Sequence, residues 1–348
     1  MRWSRACRTA PVTLLAGALL AGAAACDSGG DRDSSPRSGS TSQPGSPARL
    51  AWRELAPAPS ERTEVTAAVA GDRIYLVGGY RRDGGTVATV EVYDPAAERW
   101  ERGPDLPVAV NHAMAATAGG AVHVFGGYVA GNRPGTAAFR FESGGWRRVA
   151  DLPEGRAAGT AVALGGTVYI AGGIAPGGGL AANMLVYDVA GDRWSTAPGP
   201  PTPREHLGGA GFDGLLYTVG GRTREAGNLA AFERFNPSSG RWSKLAALPT
   251  KRGGLAAAAS CSGQIVAVGG EAAATFEEAE SYDVRARRWR ALPPMPTPRH
   301  GLGVVVAGTT LYTLAGGPEP GLHVADTLEA LDLSSLGACA SPSVAPSG

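Results

Sequence analysis

The sequence predicts an all-β fold of six repeated sheet units, and three markers that keep step with one another carry that prediction. Double glycines at Gly78-Gly79, Gly126-Gly127, Gly172-Gly173, Gly220-Gly221, Gly269-Gly270 and Gly316-Gly317 recur every 46 to 49 residues, each closing a short apolar run such as Ile74-Tyr75-Leu76-Val77. A tryptophan follows each of the first five pairs by 20 to 22 residues, at Trp100, Trp146, Trp194, Trp242 and Trp289. Between the two stands an aromatic with a small polar or acidic neighbour: Tyr93-Asp94, Phe141-Glu142, Tyr187-Asp188, Phe235-Asn236, Tyr282-Asp283 and the eroded Leu331-Asp332. A fixed period of this size marks a repeat architecture. Glycine supplies 52 of 348 residues, so doublets also arise by chance, and Gly84-Gly85, Gly144-Gly145 and Gly165-Gly166 lie outside the register. The other two markers give the six pairs their meaning.

Together these residues resemble the kelch repeat, a four-stranded blade in which a double glycine ends the second strand, an aromatic-Asp pair ends the third and a tryptophan opens the fourth. The resemblance covers about residues 51–337 and implies a six-bladed β-propeller. The sixth unit lacks a tryptophan after Leu331-Asp332, while Trp52 stands 26 residues before the first glycine pair, as Trp289 stands 27 before the last. Residues near 52–56 are therefore expected to form the outer strand of a blade whose three inner strands come from residues near 298–333. Such a clasp removes an open sheet edge.

The individual elements agree. Val122 to Phe125, Val168 to Ala171, Leu216 to Val219 and Ile265 to Val268 are short, apolar and bounded by glycine-rich turns, as strands are. Their continuous hydrophobicity suits strands covered on both faces by neighbouring blades. Helix is expected to be almost absent. Tyr312 sits one residue further from its glycines than Tyr75, Tyr169 and Tyr217 do from theirs, which predicts a bulge or slip in the sixth blade.

The first fifty residues read as export machinery. Arg2, Arg5 and Arg8 precede an apolar segment from about Ala10 to Ala25, the layout of a signal peptide and too short for a spanning helix. Leu19 to Cys26 resembles a bacterial lipobox, with Ala23 in place of the usual leucine, so residues 1–25 are expected to be cleaved and Cys26 acylated. Residues 27–49 are rich in Ser, Gly, Pro, Asp and Arg and have no aromatic residue, which predicts a disordered tether completing a linker over 26–50. Such a chain would hold the propeller about 25 to 30 Å from a membrane. Simple secretion, with Cys26 a bystander, is the alternative. Residues 338–348 are expected to form a C-terminal tail.

Charge narrows the partners. The leader takes three of the 32 basic residues and none of the 31 acidic ones, leaving a net charge of −2 and no nucleic-acid footprint. With Cys7 in the leader and Cys26 lipidated, Cys261 and Cys339 remain, and in an exported chain they read as a disulfide. By the resemblance they lie on one rim, in adjacent blades.

For a binding site, the resemblance directs attention to the segment before each inner strand. There a Leu-Pro-x-x-Arg pattern runs through Leu152-Pro153 with Arg156, Pro200-Pro201 with Arg204, Leu248-Pro249 with Arg252 and Met295-Pro296 with Arg299, and Arg62 holds the matching place in the first unit. In kelch domains this position opens onto the central channel, and in kelch substrate adaptors arginines here hold acidic peptides. Five guanidinium groups on one pocket would favour an anionic ligand. The alternative is structural: such arginines cap strand carbonyls or pair with neighbours such as Glu154 or Glu205. The second unit departs from the pattern with Val110-Asn111-His112, and Asn111, His112 and His206 join the five arginines as candidate ligand-binding residues. A three-histidine site from His112, His206 and His300 is set aside because His300 follows its arginine directly while His206 follows two after, and no metal or cofactor is assigned. Loops between the second and third strands, with Arg81, Arg82, Arg222 and Arg224 among them, are expected on the same face.

No complete catalytic constellation is legible. Galactose-oxidase-like copper chemistry is rejected, because it needs a tyrosine crosslinked to a cysteine and the available cysteines are expected elsewhere. A bacterial sialic-acid mutarotase, which is a kelch propeller using glutamate and arginine, stays open as an alternative through Arg204-Glu205-His206. A structural role in the envelope is a further alternative. The leading expectation is a monomeric, non-catalytic module on a membrane-anchored lipoprotein, presenting a propeller to a protein, peptide or anionic glycan.

Overall fold

Residues 50–339 are described by the computed structural model, in which all regular structure is β-sheet apart from one 3-10 turn at Ser334–Leu336. The leader, Cys26, the tether and the last nine residues lie outside the described residues. Six four-stranded antiparallel sheets form six blades. Their inner strands are Thr66–Ala70, Met114–Ala118, Thr160–Leu164, Gly208–Phe212, Ala256–Ala259 and Gly303–Ala307. The last blade is a composite: Trp52–Leu55 pairs antiparallel with Ala325–Asp332, setting Trp52 against Leu331 and Leu55 against Leu328. The clasp expected from the displaced tryptophan is therefore present. Among the described residues, no helix is long and apolar enough to cross a membrane.

Two backbone circuits explain why the sequence repeats as it does. In the first, the second glycine of each pair donates its N–H to a carbonyl of the following blade: Gly79 to Val110, Gly127 to Arg156, Gly173 to Arg204, Gly221 to Arg252 and Gly270 to Arg299, at 2.8 to 2.9 Å. The first glycine of each pair must let that carbonyl pass. It holds φ near +60°, and a Cβ added there would stand 2.2 to 2.7 Å from the same oxygen. A side chain is excluded by both conformation and space. In the sixth blade the circuit is closed by Gly316, which donates to Arg62 at 2.8 Å, and Ala315 takes the left-handed position at φ 54°. The functional pair is thus Ala315-Gly316 rather than Gly316-Gly317, and the ladder shifts register between Leu314 and Gly316. This accounts for the anomalous spacing of Tyr312.

The tryptophans form the second circuit, near the outer rim. Each indole N–H donates to a carbonyl in the chain entering its blade from the preceding one: Trp100 to Ala56, Trp146 to Pro104, Trp194 to Ala150, Trp242 to Pro198 and Trp289 to Ala246, all at 2.8 to 2.9 Å. Trp52 completes the set through Pro293 at 2.8 Å. The aromatic that ends each third strand packs on its tryptophan, with centroids 4.8 to 5.3 Å apart from Tyr93–Trp100 to Tyr282–Trp289. Cores form between blades: Ile74, Leu76 and Tyr93 of the first bury against Leu314 and Leu328 of the last. That is why second strands such as Ala121–Phe125 and Gln264–Val268 are buried at every residue.

At the centre the inner strands converge so closely that only small residues fit. A Cβ on Gly209 would meet the Thr160 side chain at 2.3 Å, and one on Gly303 would meet Ala67 at 2.9 Å. What remains of the channel is a cavity of about 140 Å³ lined largely by Ala, Gly and Thr. At one edge Cys261, in the turn between the first two strands of the fifth blade, is bonded to Cys339 beyond the third strand of the sixth, with Cα atoms 4.9 Å apart.

Candidate functional site

The five arginines do not reach the channel. Arg62, Arg156, Arg204, Arg252 and Arg299 are 0 to 1 % exposed, each turned back into its own blade. Arg62 donates to the Gly78 carbonyl at 2.7 Å and to Glu91 at 2.6 Å; Arg299 donates to the Ala315 carbonyl at 2.6 Å and to Glu329 at 2.7 Å. Arg204 pairs with Glu233 at 2.7 Å and Arg252 with Glu280, whereas Arg156 uses Glu154 and the Asn183 side chain. Four of the guanidiniums thus satisfy the carbonyl of the left-handed residue that ends the second strand, at Gly78, Gly172, Gly220 and Ala315, while Arg252 donates to the Ala267 carbonyl at 3.1 Å. Burial lowers the pKa of all five, and in each blade the partnering carboxylate opposes that shift. A ligand-binding ring of arginines is corrected to a structural one. In the second blade the third-strand position that holds Glu91, Glu233, Glu280 and Glu329 elsewhere is Phe139, which packs with Val110: an apolar pair replaces the ionic one.

The residue that does face the channel stands two after the arginine. Glu64, His112, Ala158, His206, Gly254 and Gly301 occupy this place in the six blades, all with φ between 50 and 70°. They form an inner backbone circuit, in which His112 donates to Glu64, Ala158 to His112, His206 to Ala158, Gly254 to His206 and Gly301 to Gly254 at 2.8 to 3.0 Å, and Val65 closes it onto Gly301 at 3.2 Å. Non-glycine residues rarely adopt this conformation, and they gather at functional sites.

Three of the six carry chemistry, and their side chains meet across one mouth of the channel. His112 Nε2 lies 3.1 Å from Glu64 Oε2, and the His112 and His206 rings are 4.8 Å apart, edge to face. His300, one residue earlier in its blade's register, still arrives: its Nδ1 is 3.3 Å from the other Glu64 oxygen and 3.6 Å from Glu271. Gly317 makes room for that ring, since a Cβ there would stand 2.4 Å from His300 Nε2. Burial favours neutral acid at Glu64, but His112 and the His300 hydrogen bond outweigh it and hold the carboxyl far below its usual range. Burial lowers His112 and, reinforced by His112, puts His206 well below the ordinary imidazole value. For His300 burial is outweighed by Glu64, and its pKa rises.

Surrounding residues hold this cluster in place. Asn111 donates its amide to Thr86 at 2.8 Å and presents its oxygen 2.6 Å from His112 Nδ1. Glu205 contacts His206 Nδ1, and Arg222 ties Glu205 at 2.9 Å to Glu271 at 2.7 Å. Arg204, Glu205 and His206 therefore point three ways: into the blade, to Arg222 and to the channel. The sequence reading found His112 and His206 but missed Glu64, whose signal was its register, two residues after Arg62 as His206 follows Arg204.

Above the cluster the loops form a second feature. Those of the second and fourth blades fold into short hairpins, Tyr128–Val129 with Arg133–Pro134 and Arg222–Thr223 with Gly227–Asn228. Between them and the third-blade loop opens a cleft of about 1070 Å³, whose lining includes Tyr128, Ile174, Leu180, Glu205 and Arg222. Leu180 is 37 % exposed, one of two large hydrophobic residues so placed among those described. Arg133 and Arg224 also line the cleft, exposed and in no ion pair with a described residue, in contrast to Arg222.

The family model for the KLHDC2/KLHL20/DRC7 Kelch-repeats domain matches residues 64–247 and 111–317, together more than half of the chain. The chain belongs to the kelch-repeat family. Among similar curated proteins, Kelch-like protein 36 of Mus musculus is 43 % identical over 60 residues, 17 % of this chain and 10 % of the mouse protein. Human Kelch-like protein 23 is 38 % identical over 65 residues, 18 % of this chain and 12 % of its own, and Beta-scruin of Limulus polyphemus is 29 % identical over 76, 22 % and 8 % respectively. The chain thus matches about a tenth of the length of these kelch relatives, a stretch comparable to one or two blades.

Proposed function

We propose that this kelch propeller is a non-catalytic binding module whose loop face captures a carboxylate-bearing segment of a protein or peptide ligand. The observation that carries the reading is the cleft between the second, third and fourth blades, where Arg133 and Arg224 have no ionic partner among the described residues and stand beside the exposed Leu180. Unpaired guanidiniums favour carboxylates through bidentate hydrogen bonds, and an adjacent apolar side chain adds a desolvated anchor. Rigid hairpins at the edges present these groups at little ordering cost. Membership of the kelch family supports a protein-binding role.

The test is fluorescence polarisation with labelled acidic, neutral and basic peptides containing leucine, alongside a polyuronate as the glycan arm. Saturable binding of acidic peptides, weakened at least tenfold by Arg133→Ala with Arg224→Ala, is expected. No binding of any anionic probe, or binding indifferent to that double variant, would sink the proposal. A polyuronate bound more tightly than every peptide would reassign the ligand to glycans.

We further propose that the module is displayed from a bacterial membrane through acylated Cys26, on the strength of the basic leader, apolar segment and lipobox-like Leu19 to Cys26. Cys26→Ser is expected to move the protein from the membrane fraction into the medium. Retention of the variant in the membrane fraction would refute the anchor.

A further inference from the structure

We propose that Glu64, His112 and His206 form a site for a divalent transition metal of the zinc class at the mouth of the propeller channel. One donor atom from each residue lies within 4.8 Å of the others, and the side chains are mostly buried. Donor atoms bound at about 2 Å to tetrahedral zinc stand about 3.3 Å apart. The 3.1 Å between His112 Nε2 and Glu64 Oε2 already meets that spacing, and the His206 donor stands within 4.8 Å of both.

The surroundings orient the donors as a metal requires. Ligating imidazoles give their second N–H to a carbonyl or carboxylate, which fixes the tautomer and frees the other nitrogen. His112 has Asn111 Oδ1 at its Nδ1, which leaves Nε2 as its free donor, and the Glu205 carboxylate stands beside the His206 ring. Glu205 is anchored in turn by Arg222. His300 approaches the Glu64 oxygen that His112 does not face, while its Nε2 lies 3.1 Å from the Glu319 carbonyl. Four blades thus contribute to one site.

Ligand chemistry narrows the ion. Two imidazoles and one carboxylate suit zinc and its first-row neighbours, whereas calcium and magnesium prefer all-oxygen sets. The three donors also share one backbone register, at φ 50 to 53° in the inner hydrogen-bonded circuit. Their Cα positions are fixed by the closure of the propeller itself. Three protein ligands leave a coordination position, and the adjoining 140 Å³ cavity has room for the water that would fill it.

The test uses the intact protein, stripped with a chelator and titrated with Co²⁺ and Zn²⁺. Expected are one equivalent of Co²⁺ with the visible absorption of a low-symmetry tetrahedral site, its displacement by Zn²⁺, and a rise in melting temperature with either ion. His112→Asn and His206→Asn should each weaken binding at least tenfold, and Glu205→Gln, which removes the charge shared between His206 and Arg222, about 10- to 100-fold. The unmutated protein alone can overturn the proposal: no saturable Co²⁺ spectrum and no Zn²⁺ shift in melting temperature would do so. Binding that persists unchanged in the double His112→Asn, His206→Asn variant would also defeat it. Loss of peptide binding in the cleft would leave these readouts untouched, because Arg133 and Arg224 take no part in them.

Discussion

The Gly316 N–H donates to the Arg62 carbonyl at 2.8 Å, joining the end of the last blade's second strand to the segment that enters the first. Five further bonds of the same kind run between the other neighbouring blades, so the glycine pairs are interblade joints before they are turns.

Replacing one such joint should cost more than the backbone strain alone. Gly126 and Gly144 both have positive φ, but a Cβ on Gly126 would stand 2.2 Å from the Arg156 carbonyl, while one on Gly144 meets nothing within 4 Å. Gly144→Ala is expected to lose about 1–2 kcal/mol, and Gly126→Ala at least roughly twice as much, read by urea denaturation. Equal losses would show that the close approach is not what selects glycine.

The buried arginines make a second prediction. Arg204→Val should cost about 3–5 kcal/mol by stranding Glu233, a buried carboxylate. Adding Glu233→Phe reproduces the Val110 and Phe139 solution of the second blade, and the double variant should be more stable than Arg204→Val by at least about 1–2 kcal/mol. A purely additive cycle would contradict the pairing. Peptide binding at the cleft should survive in the double variant.

Acid sensitivity follows from carboxylates held by hydrogen bonds. The Tyr187 hydroxyl donates to Asp192 at 2.6 Å and the Ala150 N–H at 2.8 Å, which lowers the Asp192 pKa below its ordinary value. The folded pKa is the lower one, so the stability gained is present above the unfolded Asp value and lost as pH falls through the folded one. The melting temperature of wild type should exceed that of Asp192→Asn at neutral pH, with the gap closing below about pH 4. A gap unchanged at pH 2 would contradict this origin.

Breaking the Cys261–Cys339 bond opens a 78-residue loop. Reductant should lower wild-type stability by on the order of 4 kcal/mol in the chain-entropy description. A variant with Cys261→Ser and Cys339→Ser should start at that lower stability and ignore reductant. Any further loss on reducing the variant would point to another thiol.

The period, the six blades and the clasp by Trp52 were legible because each rests on residues that only one local structure accepts: an indole N–H reaching back to the preceding blade, or a left-handed glycine under a carbonyl. The frame slip at Ala315 was legible as a displaced Tyr312, though not which residue would take the left-handed place. The direction of the arginines was not. Alternation along a strand predicts where side chains point, but the segment from Arg62 to Val65 is no strand. Glu64 turns left-handed, which sends its own side chain to the channel and leaves Arg62 folded into the blade. Conformations of that kind leave little trace in residue spacing. Glu64 escaped for the same reason, and its tie to His112 and His206 appears only when equivalent positions from separate blades are laid on one circle.

Because Trp52 finds its partner at Leu331, the first of the described strands to be made has to wait for the last one. Contacts this distant in sequence slow folding, and a sheet edge awaiting its mate is open to pairing with other chains. The propeller is therefore most exposed to misassembly while it is being made, and an early stop that removes only the third strand of the final blade would leave two orphaned edges rather than a five-bladed protein.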